Sequence, residues 1–205
     1  MAKAKTYLGS VESDRGDYGS AGDFLEEATE LSRTAEDPRR EVFALSMLGR
    51  INLLRDDLDT AAKQLDRSIE LAERDHWLAI LPWPQALRGE VQLARDDPAG
   101  ATSFLRQAFA RACQMGDPCW EGMSARGLAM VAEATGETTR AFELLADART
   151  RCNRLADPYV WLDAYILDAQ FDLGVQHGHH QAQHWVDTMK SLTSRTGMRA
   201  LTVRS

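Results

Sequence analysis

Small and apolar residues return every 40 positions along this chain, and that period limits it to a stack of like units. Ala21, Ala61, Ala101 and Ala141 keep the interval. Four residues after each stands Leu25, Leu65, Leu105 or Leu145, and three further on a small residue, Ala28, Ser68, Ala108 or Ala148. Gly9, Gly49, Gly89 and then Ala129 precede the alanines by twelve positions, and Asp17, Asp57, Asp97 and Glu137 precede them by four. Steps of four and three put Ala, Leu and the small residue on one face of a helix. Small side chains let a neighbouring helix approach, and the leucine fills the groove between them. The acids stand where a carboxylate can cap free N–H groups at a helix start.

Asp37-Pro38, Asp97-Pro98, Asp117-Pro118 and Asp157-Pro158 mark further helix starts, since proline suits the first helical position. First helices are expected near 2–14, 38–55, 82–95, 118–135 and 158–175. Second helices are expected near 18–34, 58–74, 98–114, 138–154 and 179–194. No segment alternates with period two, so no sheet is expected. The fold class is therefore all-α, an α-solenoid of about five antiparallel helix pairs in one domain. The repeats fall near 2–36, 37–76, 77–116, 117–156 and 157–195, and 196–205 reads as the start of a further helix. The fifth copy slips by one residue, to Ala182, and keeps few of the recurring positions.

Of 205 residues, 44% are hydrophobic and 27% charged, enough apolar content to bury a core without signs of disorder. The net charge of −7, with basic residues interleaved among acids, speaks against direct nucleic-acid binding by this segment. No apolar run is long enough for a membrane span, and no signal peptide is evident. Three widely spaced cysteines, Cys113, Cys119 and Cys152, suit a reducing compartment, and a cytoplasmic location is expected. Cys113 and Cys119 lack the spacing of redox or zinc pairs, and both are expected to be buried.

Tyr7-Leu8-Gly9, the turn Arg15-Gly16-Asp17-Tyr18, and Ala21, Leu25, Ala28 and Leu31 resemble a tetratricopeptide repeat; so do Leu48-Gly49, Leu58, Ala61, Leu65 and Leu71. The repeats here are about six residues longer than that family's thirty-four. The resemblance implies a right-handed superhelix whose first helices line a concave face. Carried onto this sequence, that face holds Phe43 and Arg50, Trp83 and Glu90, Met123, Arg126 and Met130, and in the fifth repeat Gln170. These are the candidate partner-binding residues, since aromatic and arginine anchors are favoured at hot spots and methionines adapt to varied ligands. A plainer reading stands beside it: Trp83, Trp120 and Trp161 pack between repeats, and Arg50 and Arg126 are solvated or paired with acids. On the binding reading, Arg126→Ala should leave folding intact.

The blocks Trp77 to Leu87 and Gly116 to Gly122, with the tail Ser194 to Arg199, resemble the repeat region of large bacterial transcriptional regulators. Such regulators join an ATP-binding module to a helical-repeat sensor, and many end in a LuxR-type DNA-binding domain. This chain carries neither a phosphate loop nor an evident helix-turn-helix reader, so the resemblance implies the sensor segment alone.

His177, His179, His180 and His184 cluster near the C-terminus, but the Gln-Ala-Gln between the last pair lacks a zinc-protease glutamate. No catalytic residues and no cofactor are assigned. The expected activity is non-catalytic recognition of a protein, peptide or small-molecule effector, relayed to other domains of a larger regulator in signal transduction. An assembly scaffold without sensing is the alternative, a metal enzyme using the histidines a remoter one, and a homodimer stays open.

Overall fold

The computed structural model describes residues 1–154 and 159–199. Among them lie ten helices and no strand: α1 (Ala2–Arg15), α2 (Tyr18–Thr34), α3 (Pro38–Leu54), α4 (Leu58–Arg74), α5 (Pro82–Ala94), α6 (Pro98–Met115), α7 (Pro118–Ala134), α8 (Thr138–Cys152), α9 (Val160–Gln176) and α10 (Ala182–Thr196). Each first helix packs on its own second helix, and each second helix on the next first helix, as a solenoid requires.

The recurring acids cap the helices. The carboxylates of Asp17, Asp57 and Asp97 accept the N–H of Ser20, Thr60 and Gly100 at 3.0, 3.2 and 2.8 Å. Asp37 and Asp117 do the same for α3 and α7, each just ahead of a proline. Glu137 holds the cap position of α8 without a side-chain bond. Asp157 and Pro158 lie outside the described residues.

The helix ends repeat on half the period. Gly16, Glu36, Asp56, His76, Asp96, Gly116 and Gly136 all take positive φ, between 52° and 83°. The next residue in each turn then donates its N–H five residues back, as Asp57 does to Asn52 at 2.9 Å and Asp97 to Gln92 at 2.9 Å. That pair of features is the Schellman ending, which satisfies carbonyls the helix leaves open. In Asp56-Asp57 and Asp96-Asp97 the two acids therefore divide the work, the first turning the chain and the second capping the next helix.

The core follows the columns. The four alanines and four leucines are wholly buried. A methyl on Gly49 would sit 2.5 Å from Leu65 Cγ, and one on Gly89 would sit 2.7 Å from Leu105 Cγ, so glycine lets these pairs close without displacing the leucine. In the fifth pair Trp185 occupies the leucine column, and Gly174 takes the glycine's part, 2.8 Å from the indole were a Cβ added. α10 starts at Ala182, four residues later than the spacing from Thr138 of α8 would put it.

Residues 197–199 are not a further helix. Gly197 ends α10 in a left-handed turn, Met198 is buried, and Arg199 donates its N–H to Asp14 O of α1 at 3.0 Å. The last pair thus reaches the first, and residues 200–205 lie outside the described chain.

Candidate interaction surface

The first helices line the inside of the stack, but its middle is filled. Of the eight candidate residues, Arg50, Trp83, Glu90, Met123, Arg126 and Gln170 are buried, and Phe43 and Met130 are half-buried. Two arginine-centred networks occupy the space that an open groove would need.

Arg50 of α3 donates to Ser13 Oγ at 2.6 Å and Asp14 Oδ1 at 2.7 Å, both on α1, and to the hydroxyl of Tyr159, just before α9, at 2.9 Å. Its guanidinium lies 4.1 Å over the ring of Trp161. Burial works against the charged form, but Tyr159 and Asp14 outweigh it and hold the pKa above the ordinary value. Arg126 of α7 donates to Glu90 Oε1 of α5 at 2.9 Å and to the Tyr165 carbonyl of α9 at 3.1 Å. It stacks 3.4 Å over the Tyr165 ring, whose hydroxyl donates back to Glu90. Burial pushes the Tyr165 hydroxyl pKa strongly upward, against the pull of Arg126, so it stays a donor. One network joins repeats one, two and five, and the other joins three, four and five.

These contacts overturn the expectation that Arg126 can be truncated without cost. Its removal would leave Glu90 buried without its counter-ion. Arg50 pairs with Asp14 and Arg126 with Glu90, in line with the plainer reading of the two arginines.

Several clefts open around this filled middle, and two of them are lined by candidate residues. The first, of about 310 Å³, lies between α1 and α3 and is lined by Lys3, Tyr7, Asp37, Arg39, Arg40, Phe43 and Trp77 among others. Three aromatic rings and three cations line it together with the acid Asp37, and Lys3 lies over the Tyr7 ring. Arg39 lies 5.6 Å from the Trp77 ring centre and also pairs with Asp75 at 3.0 Å, while Arg40 pairs with Asp37 at 2.6 Å. From Phe43 a ladder of rings runs inward, to Trp83 at 5.0 Å and then to Trp120, stacked at 5.4 Å. The second cleft, of about 430 Å³, carries Asp56, Asp168 and Asp172 beside Glu90, Arg126 and Met130. Of the candidates, then, Phe43 opens on the first cleft and Glu90, Arg126 and Met130 on the second; Arg50, Trp83, Met123 and Gln170 line neither.

Sequence reasoning missed Tyr159 and Tyr165, which lie where the period is weakest, and Trp77, which lies in a connection between helices. Cys113 is exposed, contrary to the burial expected of it, because it sits on the outer face of α6 beside inward Ala112. Cys119 is half-buried, and Cys152 is buried with its thiol pushed up to about 12. His177 Nε2 meets Glu133 Oε1 at 2.8 Å, and His179 stacks on Trp185 at 4.9 Å and on His180 at 4.6 Å. Among the described residues, no three potential metal-ligating side chains gather at one point. Among them too, no helix is long and apolar enough to cross a membrane.

Residues 1–74 match the family described as tetratricopeptide repeat. The chain folds as an all-α solenoid of helix pairs, and its first 74 residues carry that repeat. Solved structures of this architecture align with nearly all of it. BtubC (BKLC) from P. vanneervenii aligns with a TM-score of 0.64 at 13% identity, over 95% of this chain and 80% of that one. A Podosopora anserina chain described as a putative kinesin light chain with nearly identical TPR-like repeats aligns at 0.56 and 16% identity, over 95% of both chains. A single-substitution form of that chain gives the same values. Among curated proteins no relative matches.

Proposed function

We propose that this solenoid of helix pairs is a non-catalytic recognition module that binds an extended segment of a partner protein at the cleft between α1 and α3. The observation that carries this is the joining of Tyr7, Phe43 and Trp77 to Lys3, Arg39 and Arg40 in one accessible recess of peptide-side-chain size. Rings supply apolar contact area at low entropic cost, and the cations favour acidic flanks. The segment that fits has an aromatic or aliphatic anchor beside Asp or Glu. The middle of the stack is filled, so the partner docks in this cleft and does not thread the superhelix.

A displayed random-peptide library panned on the protein tests this. Enriched peptides should carry the anchor and acidic flank, and Phe43→Ala with Trp77→Ala should weaken them by roughly tenfold or more. Undiminished binding to that double variant removes the cleft from the function. The finer reading, a sensor segment within a bacterial transcriptional regulator, rests on the resemblance of residues 77–87, 116–122 and 194–199. An ATP-binding module and a DNA-binding domain encoded in the same gene would support it.

A further inference from the structure

A cavity of about 570 Å³ lies where the last repeat returns to the first. Val11 of α1, Tyr159, Val160 and Trp161 around the start of α9, and Met198 after α10 wall it, with Asp14 and Arg15 on its polar side. Its volume is that of a small-molecule pocket. None of these residues lines the cleft between α1 and α3.

Trp161 is the informative wall. It is 2% exposed, yet its indole N–H finds no acceptor among the described residues. Nε of Arg50, whose guanidinium lies over that ring, finds none either. Buried indole N–H groups are ordinarily bonded, and one left unbonded costs the desolvation of the donor. Both groups are donors only, so what they call for is an acceptor. The ring itself is engaged, by Arg50 at 4.1 Å from its centre and by Tyr165 stacked at 4.6 Å. What Trp161 can offer a ligand is therefore its edge, which carries the N–H.

Asp14 stands close by. Arg50 bonds Asp14 Oδ1 at 2.7 Å while lying on the Trp161 ring, so carboxylate and indole share one neighbour. The carboxylate still has lone pairs for an N–H from a ligand. Charge around the cavity is balanced: Asp14 is answered by Arg50, and Arg15 by Glu12 at 3.0 Å. An entering carboxylate would meet Asp14 and an entering ammonium would meet Arg15, so neither sign gains. A neutral group with an acceptor and a donor side by side fits both Trp161 and Asp14. Val11, Val160 and Met198 suit an apolar body behind it.

We propose that this cavity binds a neutral small molecule with an apolar ring and an amide edge, its carbonyl oxygen accepting from Trp161 Nε1 and its N–H donating to Asp14. Such a ligand touches α1, the start of α9 and the segment after α10 together, so it ties the first repeat to the last.

Benzamide carries that edge on a small ring, and benzylamine has the same ring without the acceptor. Two-dimensional NMR of the indole N–H groups should show five resonances, one per tryptophan, and the one lost in Trp161→Phe belongs to Trp161. Benzamide, a fragment expected to bind in about the millimolar range, should move that resonance downfield, and benzylamine should not. Trp161→Phe keeps a ring under Arg50 but loses the N–H, and should weaken benzamide by roughly fivefold, the worth of one hydrogen bond. Val11→Phe, at a wall residue that is 46% exposed, narrows the cavity from its solvent side and should weaken benzamide severalfold with unchanged circular dichroism. A Trp161 resonance that ignores benzamide overturns the proposal; so does an equal response to benzylamine, or binding undiminished in Trp161→Phe. Should Trp161→Phe fail to fold, Val11→Phe decides, since binding that survives it puts the ligand elsewhere. Phe43→Ala with Trp77→Ala should leave the Trp161 response to benzamide intact, so the peptide cleft and this cavity are judged separately.

Discussion

Gly49→Ala adds one methyl group at the tightest point of the second helix pair. Its carbon would lie 2.5, 2.6 and 3.3 Å from Cγ, Cδ2 and Cδ1 of Leu65, whereas relaxed carbon contacts need about 3.5–4.0 Å. Leu65 is wholly buried and has no free side to move toward. Overpacking costs about 1–3 kcal/mol, offset by about 1 kcal/mol from the better helix propensity of alanine, for a net loss near 1 kcal/mol. Leu65→Ala alone should cost about 2–5 kcal/mol through lost burial and the cavity left behind. In that background Gly49→Ala should reverse sign. The methyl then enters vacated space, and the propensity gain of about 1 kcal/mol appears as stabilisation. The coupling between the two sites is thus about 2 kcal/mol, well outside the scatter of additive pairs. Urea titrations of the four proteins in the cycle measure it. Additivity within about 0.5 kcal/mol would falsify the reasoning that glycine is present for the sake of this leucine. The fourth pair provides a built-in comparison, because Ala129 stands opposite Leu145 there and both are wholly buried.

Three further outcomes can be checked. Arg126→Ala should destabilise by about 3–5 kcal/mol in a urea titration, since it strands Glu90, whereas loss of the Tyr159 hydroxyl in Tyr159→Phe should cost about 1 kcal/mol; a neutral Arg126→Ala would deny the network its structural role. The capping carboxylates of Asp17 and Asp57 titrate below their ordinary 3.8, through the Ser20 backbone bond in one case and the Thr60 side-chain and backbone bonds in the other. Their contribution is therefore full above 3.8 and lost as pH falls through the lowered values, so melting curves of wild type and the double Asn variant should converge only at the acid end, and a gap unchanged down to about pH 2 would count against the caps. Toward a thiol reagent, exposed Cys113 should react first and buried Cys152 only on unfolding, and simultaneous labelling of the two would contradict the packing.

The helices were legible because local chemistry states them. Asp17, Asp57 and Asp97 cap where their spacing said they would, and Ala21 through Leu145 form the seams the columns implied. The interior was not legible. A repeat register tells which side chains of a first helix face inward, but not how sharply successive pairs rotate. That rotation decides whether Arg50 looks into solvent or at Tyr159, 109 residues away in sequence. No local pattern encodes such a meeting, least of all when its partner falls in the repeat with the weakest signature. The cleft is intermediate: Phe43 came from the register, while Trp77 reached it from a connection that carries no period. Cys113 shows a smaller failing, in which the habits of a residue type outweighed its helical phase beside Ala112.

The return of Arg199 onto Asp14, and the reach of Tyr159 to Arg50, change how such an array should come apart. A row of units touching only their neighbours frays inward from its extremities, each step nearly independent of the next. Here a terminal unit that loosens must also break bonds to the opposite terminus. Hydrogen exchange at α1 and α9 should consequently track global opening instead of marginal fraying. The distant pairings also raise the average loop that must close before the native state forms, so this chain should assemble more slowly than an unclosed row of equal length.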